Sequence, residues 1–155
     1  MKLFSIIAVF ALFLVFSFYL LFKNQEEASL IKQIPASFPV EKLEKSYALI
    51  TFFASWCETC PYLHKQLGQF SKNKNLEVIG IGWMDSNENI KKFLQTYGNF
   101  FKSPILDERG ELGIAFGIKG VPETFLVNKQ GEILQHYNGL LNEKDIETIY
   151  SVIAN

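Results

Sequence analysis

The residues best equipped for chemistry are Cys57 and Cys60, the only two cysteines in the chain, separated by Glu58-Thr59 and preceded by Trp56. They follow an apolar run, residues 48–53, that reads as a strand. A strand ending in C-x-x-C at the mouth of a helix leaves the first sulfur at the helix N-terminus, where a thiolate is stabilised. The second sulfur stays within disulfide reach. Cys60 falls on the stripe of Leu63, Leu67 and Phe70, so its sulfur is predicted to turn inward while Cys57 stays accessible. The matching chemistry is thiol–disulfide exchange: Cys57 attacks a disulfide and Cys60 resolves the mixed intermediate. A purely structural bridge is the competing reading. Closing a two-residue loop restricts an unfolded chain little, which favours a redox-active pair.

The elements around this motif follow from periodicity. Residues 48–53 are continuously apolar, as suits a strand buried on both faces, and residues 76–83 form a second strand. Ser86 caps a helix whose apolar face is Ile90, Phe93, Leu94 and Tyr97, and Gly98 closes it. Residues 104–106 are a short extended stretch and residues 112–116 a helical turn. Residues 124–127 and 133–137 flank Asn128-Lys129-Gln130-Gly131 as a hairpin. Asn142 begins a last helix with Ile146, Ile149, Tyr150 and Ile153 inward. Strand, helix, strand, helix, hairpin and closing helix predict an α/β fold with a mixed central sheet flanked by helices.

Residues 3–22 carry no charge and are bracketed by Lys2 and Lys23. A twenty-residue helix is roughly 30 Å long, the thickness of a bilayer core. The end of this run lacks the small residues of a peptidase site, so residues 1–23 are expected to be retained as a transmembrane anchor. The inside-positive tendency weakly favours a cytoplasmic N-terminus, which places the rest outside the cytoplasm. Residues 24–39, with Pro35, Ser37 and Pro39 and no sustained period, read as a tether to a domain over 40–155. The net charge of −1, from 15 basic and 16 acidic residues without a basic cluster, argues against a nucleic-acid partner.

Trp56-Cys57-x-x-Cys60 after a buried strand, joined to Gly120-Val121-Pro122-Glu123-Thr124-Phe125 before a hairpin, resembles the thioredoxin superfamily. With the anchor and an extra strand-helix insert, it is similar to the membrane-anchored DsbE/CcmG thiol:disulfide interchange proteins of cytochrome c maturation, over about residues 40 to 150. The resemblance implies a thioredoxin-like fold and a cis Pro122 against the cysteines, with the Val121 backbone beside the sulfurs to pair with an extended substrate. It implies Trp56 packed beside the motif. It also implies as partners apocytochrome c or a thiol-handling partner, and a membrane electron donor that re-reduces the pair at the periplasmic side of a bacterial inner membrane. The buried acid that ordinary thioredoxins keep below the cysteines aligns with Thr51, so water, Glu123 or less favourably Asp85 is the candidate to assist Cys60; a plain surface acid is the alternative for both, and the favoured one for Asp85.

Glu58 puts a carboxylate beside Cys57, which opposes the thiolate and favours a reductant; the alternative is an exposed acid that simply favours the helix dipole. A general reductase of other secreted proteins is one alternative. A copper or zinc module using Cys57, Cys60 and His64 is another. Pro61 excludes covalent haem attachment through C-x-x-C-H, and His136, in a strand pattern, reads as structural. No cofactor and no metal is called for.

Overall fold

The computed structural model describes residues 16–17, 32–101 and 104–154. The expected anchor, residues 3–22, lies outside the described residues apart from Phe16 and Ser17. Among the described residues no helix is long and apolar enough to cross a membrane.

The fold is organised by β1 (Tyr47–Phe53), in which every residue after Tyr47 is buried. It pairs in parallel with β2 (Leu76–Trp83) and antiparallel with β4 (Glu123–Asn128). The short β3 (Ile105–Asp107) extends the sheet beyond β2, and β5 (Ile133–Asn138) extends it beyond β4. The result is a mixed five-stranded sheet in the order β3-β2-β1-β4-β5, and the fold is thioredoxin-like.

Alternation along β1 divides its side chains between two cores. Leu49 and Phe53 meet α1 (Cys60–Gly68) through Leu63 and Leu67, α2 (Asn87–Tyr97) through Ile90, Phe93 and Leu94, and α4 (Glu143–Ile153) through Ile149 and Ile153. Ile50 and Phe52 face the other way, toward Phe116 of α3 (Glu111–Phe116) and toward Phe125 and Val127. Helices therefore cover both faces, three on one side and one on the other.

Local signals act where the sequence places them. The Ser86 side chain accepts from the Asn89 amide and Gly98, at φ 93°, ends α2. Asn142 and Asp145 form a reciprocal capping box at the start of α4. Gly80 is a packing requirement: a Cβ there would come within 2.5 Å of the Phe101 ring. Two residues expected inward are exposed instead, Tyr97 at 51% and Tyr150 at 42%. Each lays its ring on a neighbour, Phe93 at 4.8 Å and Phe70 at 5.1 Å, and keeps its polar end in water.

The segment expected as a tether differs from that expectation from residue 32 onward. The Ile34 amide donates to the Gly131 carbonyl and the Ile133 amide to that of Lys32, so the segment lies along the hairpin. Ile34 and Phe38 are buried with the α3 core, and the Phe38 ring meets Phe116 edge-on at 5.8 Å. Isolated anchor residues separated by prolines make no period, so burial here leaves no pattern in the sequence.

This packing sets a test. Phe38→Ala removes a side chain that is 2% exposed, and a buried Phe→Ala truncation costs about 3–5 kcal/mol, whereas a tether residue would cost under about 0.5 kcal/mol. Urea unfolding of the protein is expected to show a large loss of midpoint with little change in slope.

Candidate functional site

β1 runs out at Phe53, and the chain turns through Ala54, Ser55 and Trp56 before α1 begins. The Cys57 amide donates to the Ala54 carbonyl at 3.3 Å, which fixes the turn. Cys57 and Cys60 are joined as a disulfide with their Cα atoms 5.4 Å apart. Cys60 is the first residue of α1 and Pro61 the second, where the missing amide hydrogen costs nothing.

The N-terminal amides of α1 need acceptors, and the Thr59 side chain makes no capping bond. Cys57 Sγ takes that place, accepting from the Cys60 amide at 3.2 Å. The Thr59 hydroxyl lies 3.7 Å from the same sulfur. A thiolate formed there would meet an oriented N–H and the positive end of the helix dipole, both favouring the charged form. Cys57 retains 7% exposure and Cys60 only 1%.

On the other side of Cys57 the Val121–Pro122 peptide is cis, and the Val121 carbonyl oxygen lies 3.6 Å from Cys57 Sγ. Trp56 is 56% exposed, its indole N–H donating to the Met84 carbonyl at 3.3 Å and its ring 6.2 Å from that of Trp83. Met84 holds a left-handed backbone, φ 49°, that presents this carbonyl. Glu58 is exposed. Cys57, Cys60, Val121 and Trp56 thus share one surface.

Glu123 does not join them. It has the strand parity of Phe125 and Val127, which pack on the α3 side, whereas the cysteines belong to the opposite core. Its carboxylate accepts the Lys119 and Gly120 amides at 2.7 and 3.0 Å and pairs with His136 Nε2 at 2.7 Å. Glu123 therefore clamps the loop leading to Val121. His136 stacks on Phe125, centroids 4.2 Å apart, and completes that clamp.

Asp85 also differs from the surface acid that was the favoured expectation. It is 7% exposed and accepts from the amides of Ser55 and Ser86 at 2.7 and 2.8 Å and from the Asn89 side chain at 3.1 Å. Burial pushes its carboxyl up, but the bonds from Ser55, Asn89 and Ser86 outweigh that and hold it below the ordinary value. Asp85 ties the turn before Trp56 to the start of α2. Its position directly before the Ser86 cap was the available signal, but its link to Ser55 spans thirty residues and leaves none.

At Thr51 the polar group is a hydroxyl 3.0 Å from that of Thr124, both buried. His64 is 4% exposed, with Nε2 at 2.7 Å from the Gly98 carbonyl. A carbonyl only accepts, so that nitrogen carries the hydrogen and has no lone pair for a metal. The ring stacks on Phe100 at 4.3 Å and meets Phe93 and Phe101 edge-on. Among the described residues no cluster of three His, Cys, Asp or Glu is arranged to hold an ion.

Comparisons with known proteins agree with this geometry. The Redoxin family model matches residues 22–153. The chain is 33% identical over 133 residues to the thiol:disulfide interchange protein DsbE of Haemophilus influenzae, covering 79% of this chain and 73% of that one. It is 35% identical over 86 residues to the thiol:disulfide interchange protein CycY of Rhizobium leguminosarum, covering 56% of this chain and 46% of the relative. Against several of the curated relatives it matches, the chain spans about half their length. A secreted Mycobacterium tuberculosis disulfide oxidoreductase superposes with a TM-score of 0.63 at 16% identity, covering 81% of this chain and 98% of that structure, which is a likeness of fold.

The environment of His64 makes stability depend on pH. Desolvation lowers its pKa below 6.5, only partly offset by the bond to Gly98. The unfolded chain therefore binds the proton first as pH falls. Stability contributed by the neutral ring is intact above about 6.5 and declines from there down to the folded-state value, where the loss levels off. Unfolding midpoints at pH 7.5 and 5.5 are expected to differ more for the wild type than for His64→Gln.

Proposed function

The chain belongs to the Redoxin family, and on that premise we propose that this thiol:disulfide oxidoreductase is a membrane-anchored, extracytoplasmic reductant of protein disulfides in cytochrome c biogenesis. One observation carries the reading. The Cys57–Cys60 disulfide stands at the mouth of α1, with the Cys60 amide on Cys57 Sγ and the Val121 carbonyl 3.6 Å from that same sulfur.

In the proposed cycle both cysteines start reduced. The Cys57 thiolate attacks one sulfur of a substrate disulfide, forming a Cys57–substrate bond and expelling the other substrate sulfur as a thiolate that takes a proton. The Cys60 thiol gives up its proton and its sulfur attacks Cys57 Sγ. The mixed bond breaks, the second substrate thiol is released, and the Cys57–Cys60 bridge forms. Two electrons and two protons from a membrane donor restore the dithiol.

Each neighbour has a part in that cycle. Val121 offers backbone to an extended substrate, Glu123 holds the Val121 loop, and Trp56 covers the flank of the disulfide. Cys57 is the attacking sulfur because it keeps exposure and takes the helix amide, and Cys60, nearly enclosed, is the resolving one. Glu58 opposes the thiolate that the helix stabilises, which shifts the balance toward donating electrons. The apocytochrome c substrate, or the thiol partner that handles it, rests on the resemblance carried by Trp56 to Cys60 and Gly120 to Phe125. The membrane and periplasmic location rests on residues 3–22. At His64 the Nε2–H donates to the Gly98 carbonyl, which leaves Nδ1 as the one ring nitrogen with a lone pair.

In cells, Cys60→Ala is expected to accumulate a reductant-sensitive mixed disulfide through Cys57, and mass spectrometry of the trapped adduct names the substrate. An adduct absent from Cys57, or one that Cys57→Ser fails to abolish, would remove the assignment of roles. Glu58→Gln is expected to lower the Cys57 thiol pKa and raise the reduction potential by about 10–20 mV, the size of a surface charge interaction of roughly 0.5–1 kcal/mol. An unchanged potential in a glutathione titration would sink the electrostatic argument.

A further inference from the structure

An apolar groove of about 730 Å³ lies between α1 and the C-terminal end of α2, and the exchange step itself makes no use of it. Phe100 lies in it, with Tyr62 and Tyr97 lining it at 66% and 51% exposure. Two large aromatic rings left this open beside one hollow are the type of residue that anchors protein partners, because they bury much area for few rotatable bonds. None of residues 119–122 lines the groove, so it is distinct from the Val121 side of the sulfur.

Its position says what occupies it. Glu58, adjacent in sequence to Cys57, lines the groove, and Lys65 lines it seven residues further on. At 1.5 Å per residue Lys65 lies about 8 Å along α1 from Cys60, and Glu58 precedes the helix, so the two charges sit toward opposite ends of the groove. A partner in the mixed disulfide is bonded to Cys57 Sγ, and an extended chain advances about 3.3 Å per residue. Residues one to three positions from the bonded cysteine are therefore within about 10 Å of the sulfur, in reach of a hollow that begins at Glu58.

We propose that the groove is a second recognition subsite, which takes an apolar or aromatic side chain flanking the target cysteine of a disulfide-bonded polypeptide, with a basic group of that partner paired to Glu58. The inference rests on the reading of the chain as a protein-disulfide reductase and adds which sequences it reduces best. The Lys65 end would face an acidic group further along the partner, so the charges also give the bound segment a direction.

The test compares two synthetic C-x-x-C disulfide peptides as substrates for the reduced soluble domain. One carries Phe and Lys beside the first cysteine and the other carries Ser at both places. The wild type is expected to reduce the first with at least tenfold higher kcat/KM, the difference lying in KM. Gly68, in α1, lines the groove, and a Cβ there would meet Phe100 at 3.6 Å, an ordinary contact, so the helix accommodates Gly68→Gln, which sends a side chain into the hollow.

That variant is expected to bring the two peptides within about twofold of each other, as is Tyr97→Ser, with melting curves confirming that both fold. Equal rates for the two peptides in the wild type, or a preference surviving both variants, overturns the groove alone. A groove closed by a second copy of the chain would show as a dimer in sedimentation together with equal peptide rates, and overturns it too. Failure of the wild type to reduce either peptide overturns the reductase reading and the groove with it.

Discussion

β1 is buried on both faces, and the placement of the reactive sulfurs depends on that constraint. Its backbone groups are spent on β2 and β4, and its side chains are divided between two cores. Such a strand has no freedom to shift by one residue, because a slip would exchange Leu49 and Phe53 with Ile50 and Phe52 and turn both cores inside out. The turn that leaves Phe53 inherits this rigidity, and Asp85 extends it by tying Ser55 to the head of α2. The sulfur of Cys57 thus stands at a fixed place relative to both α1 and Val121, although it sits in a loop.

Precision of that kind matters to exchange chemistry more than stability does. A three-sulfur displacement needs the attacking and leaving sulfurs in line, and the enzyme gains rate by holding one end of the line in advance. Here the Cys60 amide fixes Cys57 Sγ from one side and the loop of Val121 approaches from the other. The loop is itself held from the far side of the sheet by Glu123, which spends both carboxylate oxygens on the Lys119 and Gly120 amides and on His136. The acid that is the candidate to assist Cys60 thus also holds the backbone that leads to Val121.

The pattern of what the sequence disclosed follows from the range of the interactions concerned. The elements were legible because each is encoded by its own period or cap: the apolar run of β1, the Ser86 cap, the Asn142 box, and the turn at Asn128 to Gly131. The cysteine pair was legible for the same reason, since its spacing and its helix are local. The bonds of Glu123 were not legible, because adjacency to Pro122 says nothing of the Lys119 and Gly120 amides and His136 that its carboxylate holds. Asp85 and Ser55, or Phe38 and Phe116, meet only after the chain has folded back, and no window of sequence contains both partners. Tyr97 followed the helical stripe but is the last residue of its helix, and Tyr150 stands at the edge of a stripe whose buried members are Ile149 and Ile153.

The balance at Cys57 sets two opposing charges against each other at one helix mouth. The Cys60 amide and the dipole of α1 draw the sulfur toward the thiolate, which by itself would favour the reduced form and make an oxidant. Glu58 lies one residue away and is exposed, so its field is weakened by water, whereas the amide acts at 3.2 Å in a site from which water is largely excluded. The amide should therefore dominate whether the thiolate forms, and Glu58 should adjust only how strongly it is held. The amide thus makes Cys57 nucleophilic enough to attack, and the Glu58 charge shifts the pair from there toward donating electrons. Both influences act on one sulfur, so whatever tunes its nucleophilicity also tunes the stability of the disulfide it forms.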